Sequence, residues 1–87
     1  MAKVFIPVPW RDLTGGTAEV RLDGDTLQQI TAALEARFSG IAACLLEEGR
    51  IASGLAVSID GAITSRGLLT PVRPDSEIHF LPAIGGG

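Results

Sequence analysis

The chain has 87 residues, a net charge of −3, 46% hydrophobic and 20% charged residues, and a single cysteine, Cys44. That length and hydrophobic content describe one small folded domain, burying roughly 60–65% of its unfolded surface, rather than a disordered chain. One cysteine and one histidine, His79, exclude an internal disulfide and a Cys/His metal cluster; the acidic balance argues against nucleic acid as a partner; and no stretch approaches the ~18 apolar residues of a membrane span.

The first predicted element is a strand over Lys3–Val8, with Val4, Ile6 and Val8 on one side and Phe5 and Pro7 on the other. Both sides are apolar, so the strand is either covered twice or leaves one sticky face open. A loop from Pro9 to Gly16 follows, with Trp10 as its anchor. Residues Thr17–Leu22 then alternate, with Ala18, Val20 and Leu22 inward and Glu19 and Arg21 outward. The two strands form a hairpin with a long loop.

Asp25 reads as a helix N-cap, and Gln28 three residues later completes a capping-box pattern. Leu27, Ile30, Leu34 and Phe38 recur at helical spacing and predict one main helix over about Thr26–Phe38. Ser39-Gly40 ends it, Gly40 being free to turn left-handed. Ile41–Glu48 predicts a short second helix or 3₁₀ turn closed by Gly49. Leu55, Val57 and Ile59 alternate as the next strand. Asp60-Gly61 is a strong two-residue hairpin turn, and Ala62-Ile63-Thr64 returns from it. Pro71 and Pro74 bracket an irregular stretch, with Pro74-Asp75 a turn signal. Glu77–Leu81 is the last strand, with Ile78 and Phe80 on one side and His79 and Leu81 on the other.

One helix with one apolar stripe and four or five short strands specify a two-layer α+β domain. The first and last strands are the most apolar, which places them side by side in the middle of the sheet. Phe5, Pro7, Ile63 and Leu81 then fall on the face away from the helix, and an exposed apolar patch on a small monomer marks a partner site. Cys44 reads as a small core residue and His79 as a strand-surface residue. Arg66 and Arg73 fit acidic partner surfaces and simple solubility equally well.

The chain ends Phe80-Leu81-Pro82-Ala83-Ile84-Gly85-Gly86-Gly87. Glycine carries the largest backbone entropy cost and packs nothing, so three of them after an apolar strand suggest a flexible tail that threads a narrow site. The expected division is a domain over residues 1–82 and a tail over 83–87. Extended, that tail reaches about 17 Å. The only reactive group it can deliver is the Gly87 carboxylate.

This pattern resembles the ubiquitin-like β-grasp sulfur carriers, the group that contains the molybdopterin synthase small subunit, the thiamine-pathway carrier and the cysteine-pathway carrier. The resemblance covers essentially the whole chain. It rests on the element order β-β-α-β-β-β, the Asp60-Gly61 turn, the Pro74-Asp75-Ser76-Glu77 turn and the proline followed by small or apolar residues and Gly86-Gly87. Gly85 stands where the family often has alanine or threonine. Trp10-Arg11-Asp12-Leu13-Thr14-Gly15-Gly16 is most similar to the cysteine-pathway branch.

The resemblance implies a mixed four- to five-stranded sheet on one main helix and a carrier rather than an enzyme, with no catalytic side chain, metal or bound cofactor of its own. It implies that an adenylating partner resembling the ubiquitin-activating enzymes consumes ATP to activate Gly87. Sulfur from a persulfide or sulfide then gives a C-terminal thiocarboxylate. It further implies an acceptor enzyme, either cysteine synthase-like or the molybdopterin synthase large subunit, and docking through Pro7, Ile63 and Leu81; Phe5, beside Pro7 on the same apolar face, is expected to join them. No membrane role and a cytoplasmic location are expected. Two neighbouring readings stay open, a molybdopterin synthase small subunit and a ubiquitin-like protein modifier.

Overall fold

The computed structural model describes residues 1–82; the expected tail, Ala83–Gly87, lies outside the described residues. The elements are β1 (Ala2–Phe5), β2 (Glu19–Leu22), α1 (Leu27–Arg37), α2 (Ala42–Leu45), β3 (Leu46–Glu47), β4 (Arg50–Ile51), β5 (Leu55–Ile59), β6 (Ala62–Ile63) and β7 (Glu77–Pro82). Five strands form one mixed sheet in the order β2-β1-β7-β5-β6, and β3-β4 form a separate small hairpin. β1 and β7 are adjacent and parallel, and every other pair in the large sheet is antiparallel. The most apolar strands thus lie inside the sheet, as expected, because a parallel pair is buried best away from an edge.

One face of the sheet packs on α1. Val4 and Ile78 are fully buried there, with Val20, Ile59, Val57 and Phe80 beside them. From the helix come Leu27, Ile30 and Leu34, also fully buried. Phe38, expected to complete the stripe, is the residue after the last helical turn and only half-buried.

Several local features differ from the sequence reading. β1 ends at Phe5, and Val8–Trp10 form a 3₁₀ turn. Pro7 and Pro9 lack the N–H groups a strand ladder needs, so the chain leaves the sheet there. Val8 is consequently 71% exposed rather than inward. Ala18 is exposed as well, because β2 starts only at Glu19. The helix cap is shifted by one residue. Thr26, not Asp25, is the N-cap, and its hydroxyl accepts from Gln29 N–H at 3.3 Å. The Gln29 side chain in turn accepts from Asp25 N–H at 2.6 Å, so Gln29 replaces Gln28 in the reciprocal pair.

The stretch Ile41–Glu48 is not one helix. It is a single turn, α2, followed by the β3-β4 hairpin. Glu48 and Gly49 both have positive φ, 53° and 76°, as a tight primed turn requires. Asp60 (φ 53°) and Gly61 (φ 86°) repeat that geometry between β5 and β6, where it was expected.

Two carboxylates hold the connections. Glu35 accepts from Gly40 N–H and Ala42 N–H, at 2.9 and 2.8 Å, joining the end of α1 to the start of α2. Those bonds hold its carboxyl below the usual glutamate range. Asp60 accepts from Glu77 N–H and from Ser76 Oγ–H, both at 2.9 Å, tying the β5-β6 turn to the start of β7. The Glu77 amide, then the Ser76 hydroxyl, lower its pKa.

Candidate docking face and tail root

Strand register decides which side chains share the open face. Phe5 pairs with His79, His79 with Ser58, and Ser58 with Ile63. Paired residues point to the same side of a sheet, so Phe5, His79, Ser58 and Ile63 form one lateral row across four strands. Leu81 lies two residues farther along β7, opposite Ala56, on the same side. On the helix side the neighbouring rows are Val4–Ile78–Ile59 and Val57–Phe80. Phe5, Ile63 and Leu81 are therefore brought together on the face away from the helix.

Their exposure is unequal. Ile63 is 60% and Leu81 48% exposed, and Phe5 is half-buried. The Phe5 and His79 rings lie flat on each other, centroids 4.3 Å apart and planes 4° apart. Pro7 lies just past the end of β1, half-buried and outside the paired register. Its backbone is still extended (φ −60°, ψ 148°), which carries the alternation of Phe5 onward.

The described part of the chain ends beside this face. Pro82, the last residue of β7, pairs with Leu55, the first of β5. On the opposite side of the strand, the Trp10 ring packs on Phe80 with centroids 5.7 Å apart. The end of β7, from which Ala83–Gly87 continue in sequence, is thus fixed by paired backbone and by a buried aromatic contact, with Leu81 next to it. Gly85, Gly86 and Gly87 lie outside the described residues.

His79 lies on the strand surface beside Leu81, as the alternation predicts; its stack on Phe5 is legible only once β1 and β7 are paired. Val8, expected inward, is exposed in the 3₁₀ turn, and its position between two prolines is the signal that frees it. Among the described residues, no group of three or more His, Cys, Asp or Glu side chains is placed to hold a metal, and no helix is long and apolar enough to cross a membrane. Cys44 is half-buried against the core cluster.

Comparison with known proteins decides the family. The ThiS family model matches residues 4–87. The chain belongs to the ThiS family. It is 34% identical over 89 aligned positions to the sulfur carrier protein CysO of Mycobacterium tuberculosis, an alignment that covers 97% of this chain and 96% of the relative. In structure it is similar to a chain of the BexX/CysO complex of Amycolatopsis orientalis, with TM-score 0.95, 31% identity and full coverage of both chains. The small archaeal modifier protein 1 of Methanosarcina acetivorans shares the fold, with TM-score 0.84 at 23% identity, covering 99% of this chain and 95% of that one. The ubiquitin-like β-grasp architecture expected from the element order is therefore borne out, and this ThiS-family chain is a homologue of a sulfur carrier protein.

Proposed function

We propose that this chain is a sulfur carrier that works through its C-terminal carboxylate and is acted on by partner enzymes. The observation that carries this reading is the full-length similarity to a sulfur carrier, with the family match running through Gly87. One Gly87 oxygen attacks the α-phosphorus of ATP and pyrophosphate leaves. The sulfur of a hydrosulfide ion attacks the resulting acyl-adenylate carbon and AMP leaves, so the terminus becomes a thiocarboxylate. No electrons are gained or lost in this route. ATP is consumed on the partner, and the carrier supplies only the terminus and a docking surface.

The position of the exposed face supports docking there. A tail of five residues spans about 17 Å, so any enzyme acting on Gly87 lies within that reach of Pro82. Leu81, Ile63 and the stacked Phe5 and His79 rings are the surfaces such an enzyme meets first, with Pro7 at their margin. The related CysO of A. orientalis forms a complex with BexX, which agrees with a fold of this kind meeting another protein. We assign cysteine-type biosynthesis as the use of the sulfur, supported by the CysO relatives and by Thr14-Gly15-Gly16.

The test is intact mass after incubation with ATP, sulfide and the cognate activating enzyme. The wild type and Cys44→Ser gain the mass of sulfur replacing oxygen, and a chain lacking Gly86 and Gly87 gains nothing. Sulfur on the truncated chain, or its loss on replacing Cys44 alone, overturns the reading. So does accumulation of isopeptide conjugates without any thiocarboxylate.

A further inference from the structure

A groove runs along the outer edge of β6, between the β5-β6 turn and the segment that leads to β7. It is lined by Ile63, Thr64, Ser65 and Arg66 on one side and by Thr70, Pro71 and Arg73 on the other. Its charge is opposite to that of the chain, which is −3 overall. Among the described lining residues the one acid is Asp60, which accepts from Ser76 Oγ–H and Glu77 N–H and interacts with the charge of Arg73, so the two guanidinium groups leave the groove with a net excess of one positive charge. Arg66 and Arg73 are both exposed. Arg50, which lies near Arg66 in an adjoining groove, is set opposite Glu47 in the β3-β4 pair and is not counted.

The apolar part of the groove matters as much as its charge. Ile63 belongs both to this groove and to the open face, so the two surfaces are continuous around the β6 edge. β6 is the last strand of the sheet, and an edge strand presents unpaired backbone groups to an added chain. Two guanidinium groups, hydroxyls and one exposed isoleucine match a carboxylate-bearing segment with an aliphatic residue.

We propose that this groove is a second docking element, which takes an acidic segment of a partner protein through Arg66 and Arg73. The partner is one that also meets the open face, so the proposal rests on the docking reading given above. The groove borders Ile59, at the far end of β5 from the tail root at Leu55, about 14 Å along the strand. A contact at that distance fixes the rotation of the body about the tail, which contact near Leu81 alone does not.

The test is a nuclear magnetic resonance titration of the full chain with the blocked hexapeptide Glu-Glu-Leu-Glu-Glu-Glu, run beside inorganic phosphate and hexalysine. Saturable amide shifts are expected at residues 63–66 and 70–73. They weaken about tenfold in the Arg66→Ala/Arg73→Ala variant and diminish with added salt. Both side chains are exposed, so the amide spectrum of the variant stays folded. Shifts centred on Lys3 and Arg21, equal affinity of the double variant, or phosphate binding as tight as the peptide overturns the proposal. Gly87 takes no part in this titration. A chain that binds the peptide but never gains sulfur sinks the carrier reading alone, and the reverse result sinks the groove alone.

Discussion

The two faces of the sheet are built from the same strands and do opposite work. Along β7, Ile78 and Phe80 point at α1 and are buried, while His79 and Leu81 point away and stay accessible. Each set includes a large apolar residue, so hydrophobicity alone does not separate the core from the open face. What separates them is α1, which covers one side only. A small two-layer domain therefore leaves apolar side chains such as Ile63 and Leu81 exposed on its second face without any special local sequence.

The sharpest way to break this comparison is to truncate matched residues on each face. Leu34→Ala removes a fully buried side chain from the helix side and is expected to cost about 2–5 kcal/mol, measured by chemical denaturation. A loss below about 1 kcal/mol would mean that the helix face is not the core.

The tie between the β5-β6 turn and the start of β7, which both faces share, is tested at Asp60, whose carboxylate accepts from Ser76 and Glu77. Asp60→Ala is expected to cost on the order of 1 kcal/mol, discounted for solvent exposure of the site. The pH dependence has a definite sign. The folded pKa of Asp60 lies below its unfolded value of about 3.8, so its contribution is complete above the unfolded pKa and disappears as pH falls through the folded value. Denaturation curves of wild type and Asp60→Ala should converge on acidification below about pH 4. A constant gap down to the most acid conditions contradicts the assignment.

The smallest stability effect is expected on the open face. Leu81→Glu should change folding stability by less than about 0.5 kcal/mol, because Leu81 is 48% exposed. Yet it should raise the KM of the activating enzyme for the carrier at least about tenfold, since a lone charge must be desolvated on docking. An unfolded variant would make Leu81 a core residue, and an unchanged KM would remove it from the interface.

Much of this was legible in the sequence. The strand periodicity of Leu55–Ile59 and Glu77–Leu81, the stripe of Leu27, Ile30 and Leu34, and the Asp60-Gly61 turn each rest on spacings of a few residues. The same is true of Phe5, Ile63 and Leu81, placed on the open face by alternation. Errors arose where competing local signals were close in strength. Thr26 and Asp25 are both good caps, and the bond between Leu27 N–H and Thr70 C=O settles the start of α1 from outside the helix. The β3-β4 hairpin was missed because Leu45 and Leu46 suit a helix and a strand equally over so short a run.

The sequence by itself determined the order of the main helix and the five strands of the large sheet, the two apolar sides of β1 and β7 and the resemblance to a carrier family. These follow from propensity, period and turn chemistry, which act between near neighbours. Only the tertiary structure decided that Phe5 stacks on His79, that Ser58 lies between His79 and Ile63, that Asp60 reaches Ser76, and that Arg66 and Arg73 line one groove. Each of these joins residues far apart in the chain. Strand register fixes such contacts, and register is set by the pairing of whole strands against a shared core rather than by any one segment.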